Sequence, residues 1–119
     1  MDKLEHIFYL QFKLQKKLGV IKQIKNDSDK QQFINLNILA IFEEAIEIIK
    51  ESAYKNPKVI KFGWKKGQFF NEENFKAEII DLFHFLVNLC LVVNMDADEF
   101  YNRYCIKNIK NINRKNEGY

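Results

Sequence analysis

The chain has 119 residues, 47% apolar and 29% charged, with only four Gly and one Pro. That is the size of one domain and the composition of a globular protein, and so few breakers favour helices over a strand-rich fold. Nineteen basic against sixteen acidic residues leave a formal +3, too mild a charge to imply nucleic-acid binding.

In chain order, the first helix is expected over about Asp2 to Leu18, carrying Leu4, Ile7, Phe8, Leu10 and Phe12 and ending near Gly19. A polar loop, KNDSDKQQ, follows and offers Asp27 or Ser28 as the next N-cap, Ser28 and Gln31 having the spacing of a capping box. The second helix is expected from about Asp29 to Tyr54, stopping before Asn56-Pro57 because the residue before proline is pushed out of the helical region. The irregular KVIKFGWKKGQFFNEEN is long enough to be a functional loop. A third helix starts around Asn74 with KAEIIDLFHFLVNLCLVV, and Asp96 with Glu99 caps a fourth that runs to about Lys115. No segment alternates with the two-residue period of a half-buried strand. The expectation is one all-α domain over residues 1–119.

Cys90 and Cys105 make no CxxC, which argues against a disulfide framework or zinc knuckle and fits two core residues in a reducing cytoplasm. MDKLEHIFYL lacks the basic start and cleavage site of a signal peptide. Ile79 to Val93 is too short to span a bilayer and is interrupted by Asp81, His84 and Asn88. A cytoplasmic protein with no membrane or nucleic-acid partner is expected.

The chemistry lies in two carboxylate pairs. Glu44 and Glu47 are three residues apart, as are Glu78 and Asp81, so each pair shares one face of an otherwise apolar helix. Two such helices packed together would aim four carboxylates into one space, where like charges at about 4 Å repel by roughly 4 kcal/mol at an effective dielectric near 20. A hard divalent cation removes that conflict, and all-oxygen ligation without thiolate suits Mg²⁺ or Mn²⁺ better than zinc. A lone ExxE is most often a solvated face; two pairs on apolar helices make ligation as good a reading. Arg103, Lys107, Lys110 and Arg114, at steps of four, three and four, form a basic stripe. Alone the stripe reads as solvated surface, but beside a metal it would suit a polyphosphate.

The order of these motifs resembles a known family. ExxE (Glu44, Glu47), an aromatic loop (Phe62, Trp64, Lys65), ExxDxxHF (Glu78, Asp81, His84, Phe85) and KNxxNxxRxxxGY (Lys107, Asn108, Asn111, Arg114, Gly118, Tyr119) look like the dimeric all-α dUTP diphosphatases, relatives of the MazG-like nucleotide pyrophosphatases. FKLQKKL looks like the family's first motif, with Gln15 as the base-proximal glutamine. The resemblance implies a homodimer of four-to-five-helix bundles that converts dUTP and water to dUMP and pyrophosphate. It implies that Glu44, Glu47, Glu78 and Asp81 hold Mg²⁺ (or Mn²⁺) and that one of the first pair orients or deprotonates the attacking water. Lys65, Lys107 and Arg114 would meet the phosphates; Gln15, Trp64, His84, Phe85 and Asn111 would shape the pocket for base and sugar. A related enzyme acting on dCTP or a modified nucleotide shares the metal site and stays open, as does a non-catalytic helical module. A di-iron bundle would want a second Glu-x-x-His, which the sequence lacks.

Overall fold

The structure, a computed structural model, describes residues 1–52 and 70–118. All the regular structure among them is helical: α1 (Lys3–Lys17), α2 (Val20–Gln23), α3 (Asp27–Lys50), α4 (Glu72–Val92) and α5 (Ala97–Asn116). The all-α expectation is met. They form two compact units, one of Met1–Gln23 with Cys90 onward, the other of Ile24–Leu89.

In the first unit, the Asp2 side chain accepts a hydrogen bond from the Glu5 N–H at 2.8 Å and so caps α1, while Lys16 and Lys17 face the negative end of the helix dipole. Gly19, at φ +76°, ends it in the left-handed region, as its position after Leu18 suggests. The short α2 was not expected from the polar composition around it. The more buried stripe of α1 is Leu4, Phe8, Gln11 and Gln15, not Ile7, Leu10 and Phe12, which are exposed. Phe8 packs its ring against Phe100 of α5, centroids 5.8 Å apart. Between α4 and α5, Met95 N–H reaches back to the Cys90 carbonyl at 2.9 Å and Asn94 takes φ +58°, a Schellman-type stop that asparagine tolerates. Asp96 then caps α5, accepting from the Glu99 N–H at 2.8 Å as the sequence predicts.

In the second unit, α3 begins two residues earlier than expected, because Asn26, not Ser28, supplies the cap and accepts from the Asp29 N–H at 2.8 Å. It ends at Lys50, with Glu51 as C-cap; Tyr54 lies outside the described residues. α4 likewise starts at Glu72, with the Asn71 side chain accepting from the Asn74 N–H at 3.0 Å. The more buried seam of α3 reads Asn37, Ile41, Glu44, Ile48 and Glu51, alternating steps of four and three like a coiled-coil seam. Leu36, Leu39 and Phe42, each 65% exposed, lie on another face.

α3 and α4 run antiparallel, joined by polar contacts rather than by apolar ones alone. Asn88 donates its side-chain amide to the Asn37 side-chain oxygen at 2.9 Å, and Asn37 donates to the Phe33 carbonyl at 2.8 Å. Both asparagines are buried. At the opposite end of α3, Asn71 N–H donates to the Glu51 carbonyl at 3.0 Å and the Asn74 amide to the Glu51 carboxylate at 3.4 Å.

Candidate metal centre

Between those two polar contacts lie Glu44, Glu78 and Asp81, which offer carboxylate oxygens all within 4.8 Å of one another. Glu44 comes from the seam of α3, and Glu78 and Asp81 from consecutive turns of the facing side of α4. The helices therefore bring one member of the first pair and both members of the second together. Glu44 and Glu78 are half-buried and Asp81 is exposed, so the cluster opens to solvent on one side.

The electrostatics are those of an incomplete site. Partial burial, a carboxyl contact with Glu78, and the negative charges of Asp81, Glu78 and Glu43 together hold the Glu44 carboxyl above its ordinary value. One oxygen of Glu44, Oε2, is buried without a hydrogen-bond partner. Polar atoms in folded proteins rarely stay so, and a buried carboxylate oxygen aimed at two other carboxylates needs either a proton or a cation. Three convergent carboxylates with no nitrogen or sulfur among them fit a hard divalent ion of the Mg²⁺ or Mn²⁺ class.

The other residues singled out from the sequence are placed as follows. Glu47, one turn beyond Glu44, directs Oε1 to Lys50 Nζ at 3.3 Å and lies outside the three-carboxylate group. His84, one turn beyond Asp81, is exposed, and its Nδ1 lies 2.9 Å from the Ile80 carbonyl, an oxygen that can only accept. It is not a core histidine. Phe85 is half-buried on α4. Gln15 is half-buried on α1, and Lys107, Asn111 and Arg114 are exposed on α5, in the other unit. Arg103 is ion-paired with Glu99 at 3.3 Å and, with Phe100, Tyr104, Lys107 and Lys110, lines a groove along α5. Trp64 and Lys65 lie outside the described residues. Glu43, whose charge acts on Glu44, lies near the same face in the sequence, as does Glu51, which leaves the register of the first pair open there. The two buried asparagines are not among the residues the sequence singles out, and their signal is a seven-residue offset, Asn37 from Glu44 and Asn88 from Asp81.

A sequence model of the dUTPase family matches residues 3–100. A dCTP pyrophosphatase of Enterobacteria phage T4 is 39% identical over 44 residues, 37% of this chain and 26% of that protein. A dCTP pyrophosphatase of Enterobacteria phage LZ5 is 41% identical over 58 residues, 46% of this chain and 34% of that protein. The chain thus spans about a quarter to a third of the length of the curated relatives it matches. No solved structure matches.

Proposed function

The chain belongs to the dUTPase family, and on that premise we propose that it hydrolyses a nucleoside triphosphate to the monophosphate and pyrophosphate, with dUTP as the substrate. The observation that carries the reading is the cluster of Glu44, Glu78 and Asp81 with one buried oxygen left unpartnered. These three would hold Mg²⁺, or Mn²⁺ in its place. When bound, the ion supplies positive charge against the phosphate oxygens as the phosphoanhydride bond breaks.

The chain's own residues supply the rest. Glu44 and Glu47 are the candidates to orient the attacking water and take its proton. The water oxygen bonds to phosphorus, the bridging bond to the pyrophosphate group breaks, and pyrophosphate leaves with the electron pair. Lys65, Lys107 and Arg114 would bind the phosphates and neutralise the charge that develops on them. Gln15, Trp64, His84, Phe85 and Asn111 would contact base and sugar. The enzyme would act as a homodimer: Leu36, Leu39, Phe42 and Ile46 repeat along α3 at steps of three to four and stay exposed, an apolar stripe that a second copy would cover.

The phage relatives' names favour dCTP as a second reading on the same metal site. Pyrophosphate release over a panel of ribo- and deoxynucleoside triphosphates with Mg²⁺ separates the two. A peak at dUTP is expected; a flat or dCTP-peaked profile would sink the dUTP assignment, and no release with Mg²⁺ or Mn²⁺ would sink the enzyme. For the dimer, Leu39→Lys with Phe42→Lys is expected to shift the sedimentation coefficient toward that of one chain, and an unchanged value counts against that face.

A further inference from the structure

The polar contacts between α3 and α4 share one register. Glu44 is seven residues after Asn37, and its neighbour Asp81 is seven residues before Asn88. Glu51 is seven after Glu44, and its neighbour Asn74 is seven before Asp81. Three polar rungs, Asn37–Asn88, Glu44–Asp81 and Glu51–Asn74, therefore sit at successive heptads of an antiparallel pair, each about 10.5 Å from the next at 1.5 Å per residue. Of the two outer rungs, Asn37–Asn88 is the buried one, with both side chains 4% exposed.

Apolar seams alone specify register weakly, because a slip of one turn exchanges one aliphatic contact for another of similar size. A buried polar pair specifies it strongly, because the slip strands both groups without partners. Here the directions are fixed as well. Asn37 uses its amide N–H on the Phe33 carbonyl, and its oxygen accepts from the amide of Asn88 on α4. A one-turn slip would move α4 by about 5.4 Å, more than the 4.8 Å within which the three carboxylates meet.

We propose that Asn37 and Asn88 are positioning residues for the metal centre: their hydrogen bond sets the register that delivers Glu78 and Asp81 to Glu44. The proposal rests on the metal reading above. The two asparagines would act through the helix pair, two turns from the carboxylates.

The test uses the full chain and Mn²⁺ as probe, with free Mn²⁺ followed by electron paramagnetic resonance and helix content and Tm by circular dichroism. Replacing both partners, N37L with N88L, removes the hydrogen-bonded pair together, and the variant is expected to keep the wild-type helix content. Mn²⁺ Kd is nevertheless expected to rise tenfold or more. A merely structural pair would move both or neither. Wild-type affinity in the folded double variant overturns the proposal. If that variant does not fold, Asn88→Ala, which keeps helix propensity and removes the side-chain amide, is read in the same way. It is expected to be folded with Kd raised at least tenfold, and a wild-type Kd overturns the proposal. Loss of helix in both variants assigns the pair to folding and also overturns it. Absence of Mn²⁺ binding by the wild-type chain is a different failure: it removes the metal reading itself, and the positioning role falls with it.

Discussion

The asparagine rung and the carboxylate rung belong to the same pair of helices, two turns apart, yet are finished differently. In the first, the Asn37 oxygen and amide both have partners at 2.8–2.9 Å, and the rung is buried. In the second, three acceptors face one another, one oxygen is buried with nothing to accept from, and burial, with the contact to Glu78 and the negative neighbours, pushes the Glu44 carboxyl up. A closed polar pair costs little and specifies structure. An open one of like charge costs stability until something positive arrives, so a fold that keeps it uses it. The contrast is between a polar pair satisfied within the helix pair and a carboxylate group that still needs a proton or a cation.

The largest effect that can break this contrast is on turnover. Glu78→Gln and Asp81→Asn keep shape and remove charge; each is expected to lower kcat/KM for dUTP by at least about a hundredfold, with the far-ultraviolet circular dichroism unchanged. Retained activity in both would place the reaction elsewhere. Glu47→Gln sharpens the division further. Since Glu47 stands outside the three-carboxylate group and beside Lys50, its substitution is expected to lower kcat while Mn²⁺ affinity changes less than in Glu44→Gln. Equal losses of affinity would make Glu47 a full ligand.

The next effect is on stability. A ligand that binds only the folded chain stabilises by about 2.7 kcal/mol at a hundred times its Kd, which for a domain of this size is a rise in Tm on the order of 10 °C. Saturating Mg²⁺ or Mn²⁺ is expected to raise the wild-type Tm and to leave Glu44→Gln largely unmoved. An equal rise in both would mean that the ion stabilises from some other place.

How much of this was legible in the sequence follows from what each signal depends on. Helix identity needs only local chemistry, so Asp2, Asp96 and Gly19 marked their boundaries correctly. The start of α3 was misplaced because Asn26, Asp27, Ser28 and Asp29 can all cap, and only the folded backbone chooses Asn26. Two carboxylate pairs at three-residue spacing announce a site, but which of Glu43, Glu44 and Glu47 faces α4 depends on how two helices separated by residues 51–71 pack, which no local pattern contains. Asn37 and Asn88 carry that information. Each alone reads as a polar interruption of an apolar helix; their seven-residue offsets from Glu44 and Asp81 acquire meaning only when the helices are laid antiparallel. On α1 the apolar residues pointed to the wrong stripe, because Gln11 takes a buried position that hydrophobicity assigns to Leu or Phe.

The smallest expected effect is also the most direct measure of how unfinished the carboxylate rung is. Glu44 has a folded-state value raised above its ordinary 4.5, so the folded chain binds that proton more tightly than the unfolded chain does. In the window between 4.5 and the raised value, protonation favours folding. Above the window Glu44 is charged in both states, and the folded chain bears the full penalty of holding it beside Asp81 and Glu78. In the absence of divalent ions this group's contribution to stability therefore falls as pH rises through the window and is lowest at neutral pH, opposite to the usual salt-bridged carboxylate. Subtracting the Tm–pH profile of Glu44→Gln from that of the wild type, both in chelator, isolates the term: the difference is expected to turn against the wild type as pH rises. Mn²⁺ should abolish that trend, because the ion takes the place of the proton. The buried asparagine rung has nothing to titrate, so N37L with N88L should leave the sign of the Glu44 difference unchanged if the carboxylates still meet and erase it if they have slipped apart.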